Sequence, residues 1–539
     1  MYTLATAVGL LLLIACSNVA NMLLARAAAR EKEMAIRASL GASRSRLIQQ
    51  LLIESVLLAL GGAILGSLFA YAGIKALVGL IPEGAIPREA DIRLNVPVLL
   101  FSLGVSAFTA VLFGLVPALQ TAKRDINDPL KDAGKGVTGG ARRGRLRNAL
   151  VVVEVALSLM LLVGAGLLMR SFVALQQVDL GLNPDHILVA RLPLPRGQYQ
   201  TAAAKQRFFS QVLQRLQTLP GVVTATAASS LPPYGGIGTE IDIPGKTHSE
   251  KWRALFQLTS EGYVPTLGLR VLRGRTLSEV EVNEARKVAV VNQTLVTTYF
   301  GQDDPLGQRI KLNMLETFPD GPVENPVFEI VGVIADAKNQ GIQEPPMPEA
   351  LVPYTVTGGF ERGILVRTVG QPGAMLQSVR REIWTVDRNI ALTLTGSLSD
   401  YLGQFSYAGP RFSLTLLSIF ASVGLVLVVI GVYSVISYTV SRQTHEIGIR
   451  MALGASRRDV VAMFVRMGLR LMAIGVGIGL LASFGVIRVL ASQIWGISPY
   501  DPATIATVVA AMTLAGVAAC YLPARRAMRV DPTIALRYE

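Results

Sequence analysis

Few side chains in this sequence could carry out a reaction, and their spacing argues against the reactions one would test first. The two cysteines, Cys16 and Cys520, both stand in apolar runs, and the histidines His186, His248 and His445 are scattered. That pattern excludes a disulfide framework, a cysteine-based zinc site and a histidine cluster. His445-Glu446 opens an H-E-x-x-H zinc-protease pattern, but Ile449 occupies the place of the second histidine. Gly245-Lys246-Thr247 ends like a phosphate-cradling loop, yet Glu240 stands where the leading glycine belongs. Asn292-Gln293-Thr294 is a glycosylation sequon, irrelevant in a bacterial host. No Ser/His/Asp arrangement suggests itself. Accordingly no residue is read as catalytic, cofactor-binding or metal-binding.

Four ionisable residues lie in apolar stretches: Glu54, Glu154, Arg466 and Arg470. Such residues mark either a substrate or proton path or pairing between helices. They are too few for a proton relay, so interfacial snorkelling or helix pairing is the favoured reading.

The elements that hold these residues are mostly apolar. Of 539 residues, 51% are hydrophobic and 16% charged, and mean hydropathy is +0.46. An ordinary soluble domain is about 25% charged, so a membrane protein with one sizeable polar domain fits. The net charge is +14. Nucleic-acid binding is one cause of such basicity, but the positive residues gather in short loops between apolar runs. Seven stretches are long enough to cross a bilayer: 3–24, 49–74, 97–119, 149–169, 412–438, 461–487 and 503–522. Lysine and arginine crowd segments 25–47, 120–148, 439–460 and the C-terminal tail, which places those segments in the cytoplasm. The polar segment 173–410 is then extracytoplasmic and the C-terminus cytoplasmic. A span that begins at once after Met1, with no basic region before it, is not a secretory signal peptide.

The sequence also repeats itself. EMAIRASLGASRSRL (33–47) and EIGIRMALGASRRDV (446–460) agree at eight of fifteen positions with an offset of 413. Each copy is preceded by a span, followed by a long one, and closed by a further span with a matching exit, Pro117-Ala118 and Pro523-Ala524. The membrane part is therefore two copies of a three-span unit, 1–132 and 411–539, joined through a Gly/Arg-rich linker (133–148), a separate span (149–172) and the polar domain (173–410).

Within each copy, Glu33 and Arg37, like Glu446 and Arg450, stand at i and i+4, the favourable order for a helical ion pair. Ile36 and Leu40, like Ile449 and Leu453, form an apolar stripe at the same spacing. Gly41 and Gly454 suit the left-handed position past a helix end, Ala42 and Ala455 follow, and Ser43 and Ser456 suit the N-cap of the next helix. The reading is a short amphipathic helix at the cytoplasmic face, a tight turn and a long helix returning into the membrane. It serves either as a re-entry turn alone or as a docking helix for a cytoplasmic partner; two copies at the same face favour docking.

These residues resemble the FtsX-like permease domain of MacB-type ABC transporters, in which this element is the coupling helix that docks on a separate ATPase. The second copy matches almost residue by residue; the first keeps Glu33, Ile36, Arg37, Leu40, Gly41 and Ala42 but has Ala35 where glycine is usual. LVVVEVALSLMLLVGAGLLMRSF (150–172) is similar to the opening span of such permeases, and TSEGYVPTLGLRVLRGR (259–275) and FEIVGVIADAKNQGI (328–342) to their periplasmic domain. The resemblance implies an α-helical membrane protein with seven spans, two three-span FtsX-like repeats and an α+β MacB-type extracytoplasmic domain. It implies a permease subunit in a bacterial inner membrane, with ATP and magnesium held by a partner ATPase in two copies, no cofactor on this chain and no nucleic-acid partner. A membrane-fusion protein and an outer-membrane channel are further expected partners. Lipoprotein release and non-transporting regulation of cell-wall hydrolases are the alternative functions. Against duplicated eight-span permeases, the chain resembles one lacking its first span and first periplasmic domain, and upstream sequence is expected to encode them.

Inside 173–410 the patterns give two β-α-β units: Ile187–Leu192, Ala202–Leu219 and Val222–Ala228, then Ile364–Thr368, Ala374–Thr385 and Ala391–Thr395. They bracket an insert of short strands, including Val288–Asn292, Arg309–Leu312 and Phe328–Ile334. Gly262-Tyr263 and Gly332 read as turn and packing positions.

Overall fold

The computed structural model describes residues 2–29, 33, 36–37, 43–80, 95–122, 138–195, 197–247, 250–319, 321–358, 362–453 and 455–527. It divides into two compact units, one of Met1–Ala174 with Pro410–Glu539, the other of Leu175–Gly409. The long helices, in chain order, are α1 (Tyr2–Ala29), α2 (Arg44–Leu80), α3 (Val96–Ala122), α4 (Thr138–Gln176), α5 (Ala202–Gln217), α6 (Pro372–Val386), α7 (Ala408–Arg442), α8 (Thr444–Ala452), α9 (Arg457–Leu490) and α10 (Pro502–Ala527).

Among the described residues, six helical segments are long and apolar enough to cross a membrane: Thr3–Leu24, Ile48–Ala76, Gly144–Gln176, Leu398–Ser441, Arg457–Gln493 and Pro502–Arg525. The remaining expected span, 97–119, coincides with α3, whose qualifying apolar stretch is the shorter Val96–Phe108. Helices satisfy every backbone N–H and C=O internally, which makes them the spanning element a bilayer tolerates.

In the first unit α4 is the central helix. Val151, Val155, Leu159, Val163 and Leu167 recur every fourth residue as a fully buried stripe, packed with Val428, Val432 and Val435 of α7 and Met512 of α10. Glycines set how closely its neighbours approach. A Cβ on Gly475 of α9 would stand 2.7 Å from Val155, and one on Gly479 would stand 2.9 Å from the Ala156 carbonyl oxygen. Small residues at helix contacts are how membrane helices gain van der Waals energy without a hydrophobic drive. Farther along α4, Arg170 pairs with Asp501, and the Ser171 hydroxyl donates to the Trp495 carbonyl at 3.0 Å. Asp501 also caps α10 through the Thr504 amide and hydroxyl, contacts that hold its carboxyl down at about 2.

The second unit is α+β. Strands β1 (Ile187–Leu192), β2 (Val222–Ala228), β10 (Arg362–Thr368) and β11 (Thr393–Ser397) form an antiparallel run ordered β11-β1-β10-β2. With α5 and α6 as the crossovers this is a split β-α-β arrangement. Its helices form where the patterns place them. Thr201 caps α5 by accepting from the Ala204 amide, and Phe208, Phe209, Val212, Leu213 and Leu216 make its buried stripe. Pro372 opens α6, which buries Val379 and Ile383.

The insert is more than a set of short strands. β3 (Ile237–Asp242), β4 (Arg253–Thr259), β6 (Val288–Asn292), β7 (Arg309–Leu312), β8 (Val327–Ile334) and β9 (Glu349–Pro353) pair in the cycle β4-β3-β7-β8-β6-β9 and back to β4. The ring closes, so it leaves no open edge among these strands. β5 (Val271–Gly274) adds to β8. One bridge, Ala228 to Thr259, joins the ring to the open run. Gly262 and Gly332 are packing positions: a Cβ would lie 2.6 Å from the Ala225 oxygen at the first and 1.9 Å from the Arg275 oxygen at the second.

Candidate functional site

The repeated motif builds a short helix with two unlike faces. α8 starts where the Ile447 amide donates to the Gln443 carbonyl at 2.8 Å, and it ends with the Ala455 amide donating to the Arg450 carbonyl at 3.0 Å. Ile447 points inward, 1% exposed, into the core cluster that holds Val440, Val460 and Phe464. Glu446, Ile449, Arg450 and Leu453, at i, i+3, i+4 and i+7, share the opposite face. All four are exposed, Leu453 at 84%.

Ser456 then caps α9 as its sequence position predicts. Its hydroxyl and amide both bond the Asp459 carboxylate, at 2.6 and 3.0 Å, a full capping box. In the first copy Ser43 directly precedes α2, and its carbonyl accepts from the Arg46 amide at 3.1 Å. Leu40, Gly41, Ala42 and Gly454 lie outside the described residues.

The ion pairs form in both copies. Glu33 holds Arg37 at 2.6 Å, and Glu446 holds Arg450. Each arginine also reaches forward to the next long helix. Arg37 donates to Gln50 Oε1 at 2.8 Å, and Arg450 contacts Met463 Sδ at 2.8 Å. Gln50 and Met463 are themselves related by the offset of 413. In each copy the arginine therefore ties the motif to the following long helix at the same place. Sequence reasoning missed these two residues; applying the repeat offset beyond the motif would have found them.

Among the described residues there is no group of three or more side chains that could hold a metal ion. This face offers paired charges beside exposed isoleucine and leucine: Ile36 is 60% exposed in the first copy and Ile449 is 41% exposed in the second. Burying such side chains stabilises a complex by about 1.5–3 kcal/mol each, so the arrangement suits docking.

The intramembrane carboxylate is paired between helices. Asn18 of α1 donates through Nδ2 to Glu154 Oε1 of α4 at 2.9 Å and to the Leu427 carbonyl of α7 at 2.8 Å. The neighbouring Ser17 hydroxyl donates to the Leu150 carbonyl at 3.1 Å. On the other side of Glu154 stands Gly431, where a Cβ would come within 2.3 Å of Oε2. Asn18 and Gly431 are equivalent positions of the two repeats. One copy thus supplies a donor to the carboxylate and the other supplies room for it. Asn18 was legible in principle, as a polar residue inside the apolar run LLIACSNVANML.

Residues 5–126 and 418–532 match the FtsX-like permease C-terminal family, and residues 149–386 match the MacB-like periplasmic core domain. A macrolide export ATP-binding/permease protein MacB of Burkholderia cenocepacia is 29% identical over 294 residues, covering 52% of this chain and 41% of that protein. A probable export ATP-binding/permease protein of Pseudomonas fluorescens is 28% identical over 348 residues, covering 62% and 49%. The chain thus spans less than half the length of these curated relatives. Among solved structures, the periplasmic region of MacB from Actinobacillus actinomycetemcomitans aligns with 41% of this chain and 92% of its own, at 14% identity and a TM-score of 0.28.

Proposed function

Because the chain belongs to the MacB/FtsX-like family of ABC transporter permeases, we propose that it is a permease subunit that turns ATP hydrolysis by separate cytoplasmic ATPase subunits into motion of its 175–409 unit, for efflux or export. α3 is the seventh span, the basic loops and C-terminus are cytoplasmic, and the membrane is the bacterial inner membrane. The domains run 1–132, 133–148, 149–172, 173–410 and 411–539. Glu33, Ile36, Arg37, Leu40, Gly41 and Ala42, with Glu446, Ile449, Arg450, Leu453, Gly454 and Ala455, form two coupling elements, one per ATPase subunit. ATP and magnesium sit on those subunits, and a membrane-fusion protein and outer-membrane channel are the partners beyond the membrane.

The observation that carries this reading is the duplicated face: an ion-paired, apolar, exposed surface pinned to the following helix by its own arginine in both copies. α4 is helical from Thr138 to Gln176, and residues 398–442 are helical throughout.

Native mass spectrometry of the chain with a candidate ABC ATPase subunit from the same genome tests the reading. Two ATPase subunits per chain are expected; none would refute it, and one would leave a single coupling element.

A further inference from the structure

The outer face of the strand ring carries a cleft where β3 and β4 run side by side. Side chains alternate along β3: Thr239 and Ile241 are buried, whereas Gly238 and Glu240 are exposed. In register with the exposed pair stand Leu255 and Arg253 of β4. The cleft over these four residues has a volume of about 620 Å³. Met314, just after β7, and Met347, just before β9, also line it, as does Gln340.

The backbone around the cleft is held in place before anything binds. The Met314 amide donates to Thr239 Oγ1 at 3.0 Å. The Met347 amide donates to Asn339 Oδ1 at 2.9 Å, and its carbonyl accepts from Asn292 Nδ2 at 2.8 Å and Asn339 Nδ2 at 2.9 Å. Tyr299 grips the backbone of Arg253: its hydroxyl accepts from the Arg253 amide at 3.1 Å and donates to the Arg253 carbonyl at 2.6 Å. A site fixed in this way loses little entropy when it is filled.

The floor is Gly238. Nothing stands within 4 Å of where its Cβ would be, and its φ lies outside the left-handed region. The fold therefore does not require a glycine there, and a glycine inside a strand weakens it through backbone entropy. A bare floor is what lets a ligand lie against the strand backbone. The two methionines offer adaptable apolar contact, and thioether sulfur favours the edge of an aromatic ring. Charge on the rim is unbalanced. Glu240 is held by Lys251 at 2.7 Å, whereas the exposed Arg253 guanidinium has no partner among the described residues. An arginine left so presents its planar fork to a carboxylate or another oxyanion.

We infer that this cleft is a binding site for an amphipathic organic anion, whose flat apolar body lies on Gly238 between Met314 and Met347 and whose acid group pairs with Arg253. The site belongs to the 175–409 unit alone, so it stands or falls independently of ATPase docking.

The test titrates the purified chain, in phosphatidylcholine nanodiscs, with dansylglycine, a naphthalene ring carrying a carboxylate, and reads its fluorescence above that of empty nanodiscs. Dansylcadaverine, the same ring carrying an ammonium, is the charge control. Saturable binding of one dansylglycine per chain is expected, tighter than that of dansylcadaverine. Gly238→Leu fills the floor and should bring dansylglycine binding to background at an unchanged melting temperature, because the space it enters is open. Arg253→Gln should weaken dansylglycine by roughly tenfold and remove its advantage over dansylcadaverine. As a surface change that leaves the floor intact, it keeps the test decisive should Gly238→Leu alter folding. No saturable signal above empty nanodiscs, equal binding of the two dyes by the unaltered chain, or dansylglycine binding that survives either substitution would overturn the proposal.

Discussion

Two carboxylates of the 175–409 unit have opposite surroundings and should leave opposite marks on its pH dependence. Glu281 accepts both guanidinium nitrogens of Arg275 at 2.7 Å and the Ser278 hydroxyl at 2.7 Å, which holds it down at about 2. Glu349 opens β9 with its amide on Asn292 and its carboxylate on the Asn339 amide group, and burial pushes it up to about 7. A lowered carboxylate stabilises the fold above its unfolded value near 4.5, and that contribution is lost as pH falls towards 2. A raised carboxylate acts the other way: stability falls as pH rises from about 4.5 to about 7, because the folded state must give up a proton that it binds more tightly than the unfolded state does. Thermal melting of the purified chain between pH 4.5 and 7.5 should therefore show a drop that Glu349→Gln flattens; an unchanged slope would refute this account of Glu349. Packing gives a sharper effect in the same unit. Phe209 is fully buried in α5, in edge contact with Phe208 and Tyr354. Phe209→Ala should destabilise the unit by about 3–5 kcal/mol in denaturant unfolding.

Among the elements, those whose pattern is local were legible before any coordinates. The spans, α5, α6 and the two β-α-β units announce themselves through apolar runs, 3.6-residue stripes and turn residues; α5, α6 and the strands end within two residues of expectation, whereas several apolar helices run well past it, Leu398–Ser441 against 412–438 and Gly144–Gln176 against 149–169. The closed ring was not legible. Val288–Asn292 and Arg309–Leu312 read correctly as strands, but what closes the barrel is the pairing of β4 with β9, Leu255 opposite Glu349, and of β3 with β7, Ile241 opposite Leu312. Partners so distant in sequence leave no local mark. The same holds for Glu154, whose span was evident and whose partner Asn18, 136 residues away, was not. Asn18→Leu should leave a buried carboxylate oxygen unpaired, at about 1–3 kcal/mol. The expected readout is a lower melting temperature of the purified chain in detergent, largely restored by Glu154→Leu in the double variant; equal melting of wild type and Asn18→Leu would argue against a structural role for this contact.

At the scale of the whole molecule, the repeat is the feature that organises function. It was visible as a fifteen-residue match, and the structure extends it to Gln50 and Met463 and to Asn18 and Gly431. The proposed orientation makes its own prediction: single cysteines placed at 240 or 340 should react with a membrane-impermeant maleimide added to whole cells, and one placed at 445 should be spared. The central claim, that the duplicated face docks an ATPase, is tested most directly by co-purifying that ATPase with wild-type chain, Leu453→Asp, Leu40→Asp and the double variant, with permease abundance in membranes measured alongside. A carboxylate in an apolar groove costs several kcal/mol, and about 1.4 kcal/mol is a tenfold change in affinity. Each single variant should therefore lose at least tenfold of its share of ATPase, and the double variant nearly all of it, at unchanged permease abundance; normal recovery with the double variant would reduce the motif to a re-entry turn and contradict the account.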